Sequence, residues 1–143
     1  MISRILVALD GSDQSARVFL SASKLARPFS AKLFLFRAIE IPPEFPASAF
    51  GSLRDPLPQV MEENATRDLI EIAQGAPDVP IEQPFVGHGP PWRAILDGAD
   101  AVDADLIVLG SHGYHGVDRI LGTTAGKVAN LSQRNVFIVH RTW

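Results

Sequence analysis

Residues Gly110 to Thr124, GSHGYHGVDRILGTT, hold the side chains and spacings best suited to chemistry in this chain. They follow the apolar run Asp105-Leu-Ile-Val-Leu109 and lead into a helix-period segment from Ala125 to Ser132. A strand, a glycine-rich turn and a further glycine at a helix start are how a backbone wraps a phosphate. Glycine lets main-chain N–H groups approach an anion without an intervening Cβ. The positive end of the helix that follows favours the negative charge. Gly110, Gly113 and Gly122, with Thr123 and Thr124, then form a cradle in two parts, a glycine turn and a helix tip with hydroxyls.

Two other glycine patterns fit phosphate chemistry less well. Gly126-Lys127 resembles the end of a P-loop, G-x-x-x-x-G-K-[ST], but Gly122 is one residue too close and Val128 stands where a magnesium-holding hydroxyl is needed. Gly87-His88-Gly89 follows a strand and opens a helix, but its third glycine position is Trp92, too bulky for close helix–sheet packing. His112 and His115 are of the residue type that shuttles protons near neutral pH, yet no carboxylate stands at an orienting distance in sequence, so they read as loop residues. Asp118 and Arg119 read as solvated loop charges, and His88 as a loop residue at the end of the third strand. No cluster of protein metal ligands is evident.

The elements that must position the cradle come from short apolar runs alternating with helix-period segments, the pattern of a parallel α/β sheet. Strands are expected at Arg4 to Asp10, Lys32 to Ile39, Ile81 to Val86, Asp105 to Leu109 and Val136 to Val139. Ser12 is expected to cap a first helix with Ala16, Phe19, Leu20, Ala22, Leu25 and Ala26 inward. Prolines 42, 43, 46, 56 and 58 make residues 42–58 a long loop. A second helix, ending near Gly75, packs through Met61, Ala65, Leu69, Ile72 and Ala73. Pro90 and Pro91 suit the first turn of a third, with Trp92, Ile95, Leu96, Ala99 and Val102 inward. A fourth, Thr123 to Ser132, turns Ala125, Val128 and Ala129 inward.

The fold class is therefore α/β: a single-domain, doubly wound, open five-stranded parallel sheet. With strand order 3-2-1-4-5, the winding reverses between strands one and four, where ligands of such sheets bind. The Asp10 turn and the Gly110 turn flank that crevice.

Composition bounds the rest. The chain has 143 residues, 46% hydrophobic and 20% charged, enough for one domain with its own core. A net charge of −3 and the lack of a basic stripe speak against a nucleic-acid partner. There are no cysteines, so disulfides, cysteine-based zinc sites and thiol nucleophiles are excluded. The apolar runs, about five to seven residues long, fall far short of the roughly 20 that span a bilayer. No signal peptide is read at Met1-Ile-Ser-Arg4, and a cytoplasmic location without membrane attachment is expected.

The chain resembles the universal stress protein family, whose nucleotide-binding members carry G-x2-G-x9-G-[ST] after strand four. The resemblance takes in ILVALDGSDQSA, DLIVLGSHG, GTTAGKVA and the terminal NVFIVHR, everything but the proline-rich loop. One departure stands out: eight residues, Tyr114 to Leu121, separate Gly113 from Gly122 where the common motif has nine.

The resemblance implies an adenine nucleotide alpha hydrolase-like fold and a site for ATP or AMP, with Mg or Mn held by the phosphates. Ala8, Leu9 and Asp10 would line the nucleoside side, Asp10 accepting from a ribose hydroxyl or the adenine edge. Without the resemblance Asp10 is equally readable as the turn residue that caps helix one; the resemblance favours the site. Ala38 falls where backbone groups read adenine. Gly110, Ser111, His112, Gly113 and Gly116 would surround the phosphates, with Gly122, Thr123, Thr124 and Ala125 closing from the helix side; both threonines are also plausible N-cap residues.

Without a Walker lysine or an evident water-activating base, the implied role is a stress-response sensor or binding module rather than a fast enzyme, with slow hydrolysis or self-phosphorylation at most. The alternative is a member that has lost the nucleotide and acts through dimerisation across the Val136–Val139 edge and partner binding. An ATP pyrophosphatase would need paired glycines after strand one, where Leu9-Asp10-Gly11-Ser12-Asp13 stands. A receiver domain would need an aspartate ending strand three, where Val86 and Gly87 stand.

Overall fold

Five parallel strands form one sheet in the computed structural model, which describes residues 1–40, 57–111 and 122–140. In chain order they are β1 (Arg4–Ala8), β2 (Lys32–Ile39), β3 (Phe85–His88), β4 (Leu106–Gly110) and β5 (Asn135–Val139), and their order across the sheet is β3-β2-β1-β4-β5. The helices are α1 (Ser15–Ala26), extended by a 3-10 turn at Arg27–Phe29, then α2 (Leu57–Ala73), α3 (Pro91–Ala101) and α4 (Thr123–Leu131).

Strands covered on both faces must be apolar on both. One face buries Ile5, Val7, Leu33, Leu35, Leu106 and Val108 against α1 and α2. The other buries Leu6, Phe34, Phe36, Ile107 and Leu109 against α3 and α4. β1 pairs with β2 through Ala8↔Phe36 and with β4 through Ala8↔Leu109, so the two turns leaving β1 and β4 emerge side by side. The chain winds outward through β1, β2 and β3, then returns to place β4 on the other side of β1. The expected reversal therefore lies where the strand order put it.

Several boundaries differ from the sequence reading. Helix α1 begins at Ser15 with Gln14, not Ser12, at its N-cap, because residues 10–14 form a turn closed by side chains. The Ser15 hydroxyl accepts the Gly11 N–H at 3.1 Å, tying the first turn of the helix to the preceding turn. Ser15, Val18, Phe19, Ala22 and Ala26 face inward, the last four in the core under the sheet, whereas Ala16 is exposed and Leu20 is 50% exposed. Buried Ser23 is tolerated because its hydroxyl donates to the Phe19 carbonyl at 2.9 Å.

The third strand is Phe85–His88, with Ile81 reduced to an isolated bridge to Leu33. Pro84 lacks the N–H needed to continue the ladder, so pairing resumes only at Phe85. Pro58 lies within the first turn of α2 rather than in the preceding loop; residues 41–56 are outside the described set. In α4, Ala125 and Val128 are buried, but Ala129 is exposed because the helix touches the sheet along a narrow stripe.

Candidate functional site

A cavity of about 280 Å³ opens at the carboxyl ends of β1 and β4. Its floor is Ala8, Leu109 and Gly110, with Ala38 from the end of β2 at one side. Leu9, Asp10, Gln14, Ser15 and Val18 wall it from the turn and first part of α1. Pro91 and Ile95 come from the start of α3, and Ser111, Gly122, Thr123, Thr124 and Ala125 close it from the β4 and α4 side. Of the residues singled out from sequence, Ala8, Leu9, Asp10, Ala38, Gly110, Ser111, Gly122, Thr123, Thr124 and Ala125 thus meet around one space. His112, Gly113 and Gly116 lie outside the described residues.

The two halves of the cradle are held together by backbone. Ser111 donates its N–H to the Val139 carbonyl at 2.9 Å, and its own carbonyl accepts the Gly122 N–H at 2.9 Å. The first bond of α4 runs from the Gly126 N–H to the Gly122 carbonyl at 2.9 Å. The amides of Thr123, Thr124 and Ala125 precede it, so the helix offers them no acceptor. Gly122 brings no side chain to cap them. Together with the helix dipole, these donors make the tip of α4 suited to an anion.

Gly110 is closely packed: a Cβ there would come within 3.2 Å of Val18 Cγ2 and 3.3 Å of Gln14 Oε1, so those side chains would have to give way slightly. Gly87, in the discounted Gly87-His88-Gly89 pattern, has a packing role as well, since a Cβ would sit 2.8 Å from the Phe36 ring. Lys127, in the discounted P-loop pattern, holds its ammonium 5.4 Å from the centre of the Trp92 ring. His88 is the last residue of β3, not a loop residue, and its Nε2 pairs with the Glu62 carboxylate of α2.

Asp10 does turn work: its Oδ1 accepts the Ser12 N–H at 2.9 Å and lies 3.5 Å from the Ser15 hydroxyl. That makes Asp10 a turn residue but not the cap of α1, whose N-cap is Gln14 with no side-chain cap bond, and it leaves Asp10 on the cavity wall. Among the described residues, no group of three or more His, Asp or Glu side chains is arranged to hold a metal ion.

Gln14, Ser15, Val18, Leu109, Pro91 and Ile95 line the cavity without having been singled out as site residues from sequence. Pro91 and Ile95 are four apart at a helix start, a spacing that puts both on one face. Ser15 could have been found through the Asp10-x-Ser-x-x-Ser pattern of a side-chain-closed turn.

The geometry has known counterparts. The family model described as the universal stress protein family matches residues 1–140. Universal stress protein A homolog 1 of Coxiella burnetii is 30% identical over 136 residues, covering 94% of this chain and 94% of that protein. The crystal structure of a universal stress protein in complex with cAMP superimposes with a TM-score of 0.69 at 30% identity, covering 97% of each chain. The universal stress protein UspA from Lactobacillus plantarum gives a TM-score of 0.74 at 24% identity, over 97% of this chain and 98% of that one. On the extent of the match along the sequence, the chain belongs to the universal stress protein family.

Proposed function

We propose that the chain is an adenine-nucleotide-binding member of the family, a sensor or binding module in the stress response that takes ATP or AMP. One observation carries this reading: the amide-bearing tip of α4 and the apolar residues Ala38, Pro91 and Ile95 line one cavity at the β1/β4 reversal. A ligand that is anionic at one end and flat and weakly polar at the other matches that polarity. The cAMP bound to a family relative is such a molecule.

In this reading the phosphates sit over the Gly110 turn, including His112, Gly113 and Gly116, and against Gly122–Ala125. The base lies toward Ala38, and Asp10 accepts from a sugar hydroxyl. A divalent cation, Mg or Mn, would arrive with the phosphates, which supply its ligands. Slow hydrolysis or self-phosphorylation is the most catalysis the reading includes. The cysteine-free composition suits work in a reducing cytoplasm.

The test is direct. Protein purified without added nucleotide is precipitated with acid, and the supernatant is resolved for adenine nucleotides. Release of AMP or ATP supports the reading. No release, together with no binding tighter than about 1 mM, roughly −4 kcal/mol, overturns it.

A second reading rests on β5, the edge strand of the sheet, where Val136, Phe137 and Ile138 are only partly buried. An apolar parallel edge calls for a cover, and a second copy across a two-fold axis would supply one. Sedimentation of wild type against Phe137→Lys distinguishes the cases: a dimer that the substitution dissociates supports the pairing, and a wild-type monomer rejects it.

A further inference from the structure

On the β2 face covered by α1 and α2, Leu33 and Leu35 are fully buried, and the next position on that face is Arg37. Its side chain is only 13% exposed. Placing a charge there is costly unless it is paired and hydrogen-bonded, and its contacts show how it is held. Nε donates to the Leu9 carbonyl at 3.0 Å, and NH1 pairs with Asp68 Oδ2 of α2 at 3.3 Å. The guanidinium carbon lies 3.1 Å from where a Cβ on Gly11 would be, and Gly11 sits at φ +84°, where only glycine is at ease.

Leu9 and Gly11 bracket Asp10. Arg37 is not among the residues that line the cavity, yet it bonds Leu9 and lies beside Gly11 in the turn that presents Asp10 there. We infer that Arg37 is a positioning residue. It braces the Leu9–Gly11 turn so that the Asp10 carboxylate meets the hydroxyls of a nucleoside sugar, while Asp68 holds the guanidinium from α2. Discrimination between a ribose and a sugar lacking its hydroxyls then depends on a residue that never touches the ligand. The sugar half of this inference rests on the nucleotide reading above, whereas the brace on the turn does not.

Two readouts separate these halves. The first needs no ligand: amide hydrogen exchange at Gly11 and Ser12, whose N–H groups bond to Ser15 and Asp10 in the turn. Arg37→Met should speed both amides by about tenfold or more, leaving Ile107 and Val108 in β4 unchanged, as local opening allows. Asp68→Asn should give a smaller acceleration, and Arg37→Lys an intermediate one because an ammonium lacks the guanidinium fork.

The second readout is the affinity ratio for AMP over 2′,3′-dideoxy-AMP. It should be about tenfold in wild type, as one hydrogen bond to a carboxylate allows. It should fall to about one in Arg37→Met, with competition by inorganic diphosphate held within about twofold. A merely structural arginine would lower the melting temperature and leave that ratio alone.

Unchanged exchange at Gly11 and Ser12 overturns the brace, and an unchanged ratio overturns its role in sugar recognition. If wild type binds neither nucleotide, the nucleotide reading and the sugar role fall, while exchange still decides the brace. Should Arg37→Met not fold, Arg37→Lys and Asp68→Asn carry the same measurements.

Discussion

The Gly122 amide donates to the Ser111 carbonyl at 2.9 Å, joining the residue that ends the β4 side of the site to the one that opens α4. The stretch between them is one residue shorter than the common family spacing, which could have turned the halves apart. This bond fixes the approach of the helix tip to the Gly110 turn at the cavity.

Gly122→Pro removes that bond. Gly122 has φ −59°, which proline adopts, but the ring carbon replaces the amide hydrogen and would press on the Ser111 carbonyl oxygen, so the helix tip must move. Proline in place of a hydrogen-bonded N–H costs more than the about 0.4–1 kcal/mol that its stiffer unfolded chain returns. Thermal unfolding should shift downward, and AMP titration should show weakening of about tenfold or more. An unchanged affinity would mean that the bond does not shape the site.

Gly11→Ala tests the turn from the opposite side. With φ at +84° and the Arg37 guanidinium 3.1 Å from the new methyl group, the variant pays in backbone strain and in displacement of the arginine. Urea unfolding should show a loss of about 1–2 kcal/mol. A neutral result would mean that the turn relaxes freely.

Asp105 accepts hydrogen bonds from Ser3 N–H at 2.8 Å, Ser3 hydroxyl at 2.9 Å and Arg4 N–H at 2.8 Å. These bonds, those from the Ser3 backbone foremost, lower its pKa below 3.8. A depressed folded pKa gives stability that is present above the unfolded value and lost as pH falls through the folded one. The acid limb of the stability curve should therefore become shallower below about pH 4 in Asp105→Asn, with stability near neutrality reduced by about 1 kcal/mol after allowing for solvent. Equal acid limbs in the two proteins would contradict the assignment.

Arg134 ties the start of β5 to the turn before β4. Its Nε donates to the Ala104 carbonyl at 2.6 Å, and its other nitrogens pair with Asp100 and Asp103. Arg134→Met should cost about 1–2 kcal/mol by urea unfolding, mostly through the orphaned carbonyl. Asp103→Asn, which keeps a residue tolerant of the left-handed φ of +51° at a site 93% exposed, should change stability by less than about 0.5 kcal/mol through the ion pair it loses.

Much of this architecture was legible in the sequence because parallel strands buried on both faces must be nearly continuous apolar runs, as at Leu33–Phe36 and Leu106–Leu109. Their strict alternation with helix periods led to a doubly wound parallel sheet but not to its strand order; the order 3-2-1-4-5, taken as a condition, brings the Asp10 and Gly110 turns together, and it is the order observed. Details set by tertiary contact were not legible. The rotation of α1, which exposes Leu20 and buries Val18, goes with the packing of Val18, Phe19, Ala22 and Ala26 into the core. The contribution of α3 through Pro91 and Ile95 depends on the tilt of that helix over the sheet. Arg37 reads in sequence as a lone charge in a strand, and only the fold shows that it lies under Gly11.

The central claim is that the cavity between the Asp10 turn and the α4 tip binds an adenine nucleotide. Calorimetric titration of wild type and Gly110→Val with AMP, and with ATP plus magnesium, tests it most directly. The account predicts saturable one-to-one binding by wild type in at least one titration, and its loss in Gly110→Val while the variant still unfolds cooperatively. Absence of wild-type binding, or equal binding by a folded Gly110→Val, would contradict it.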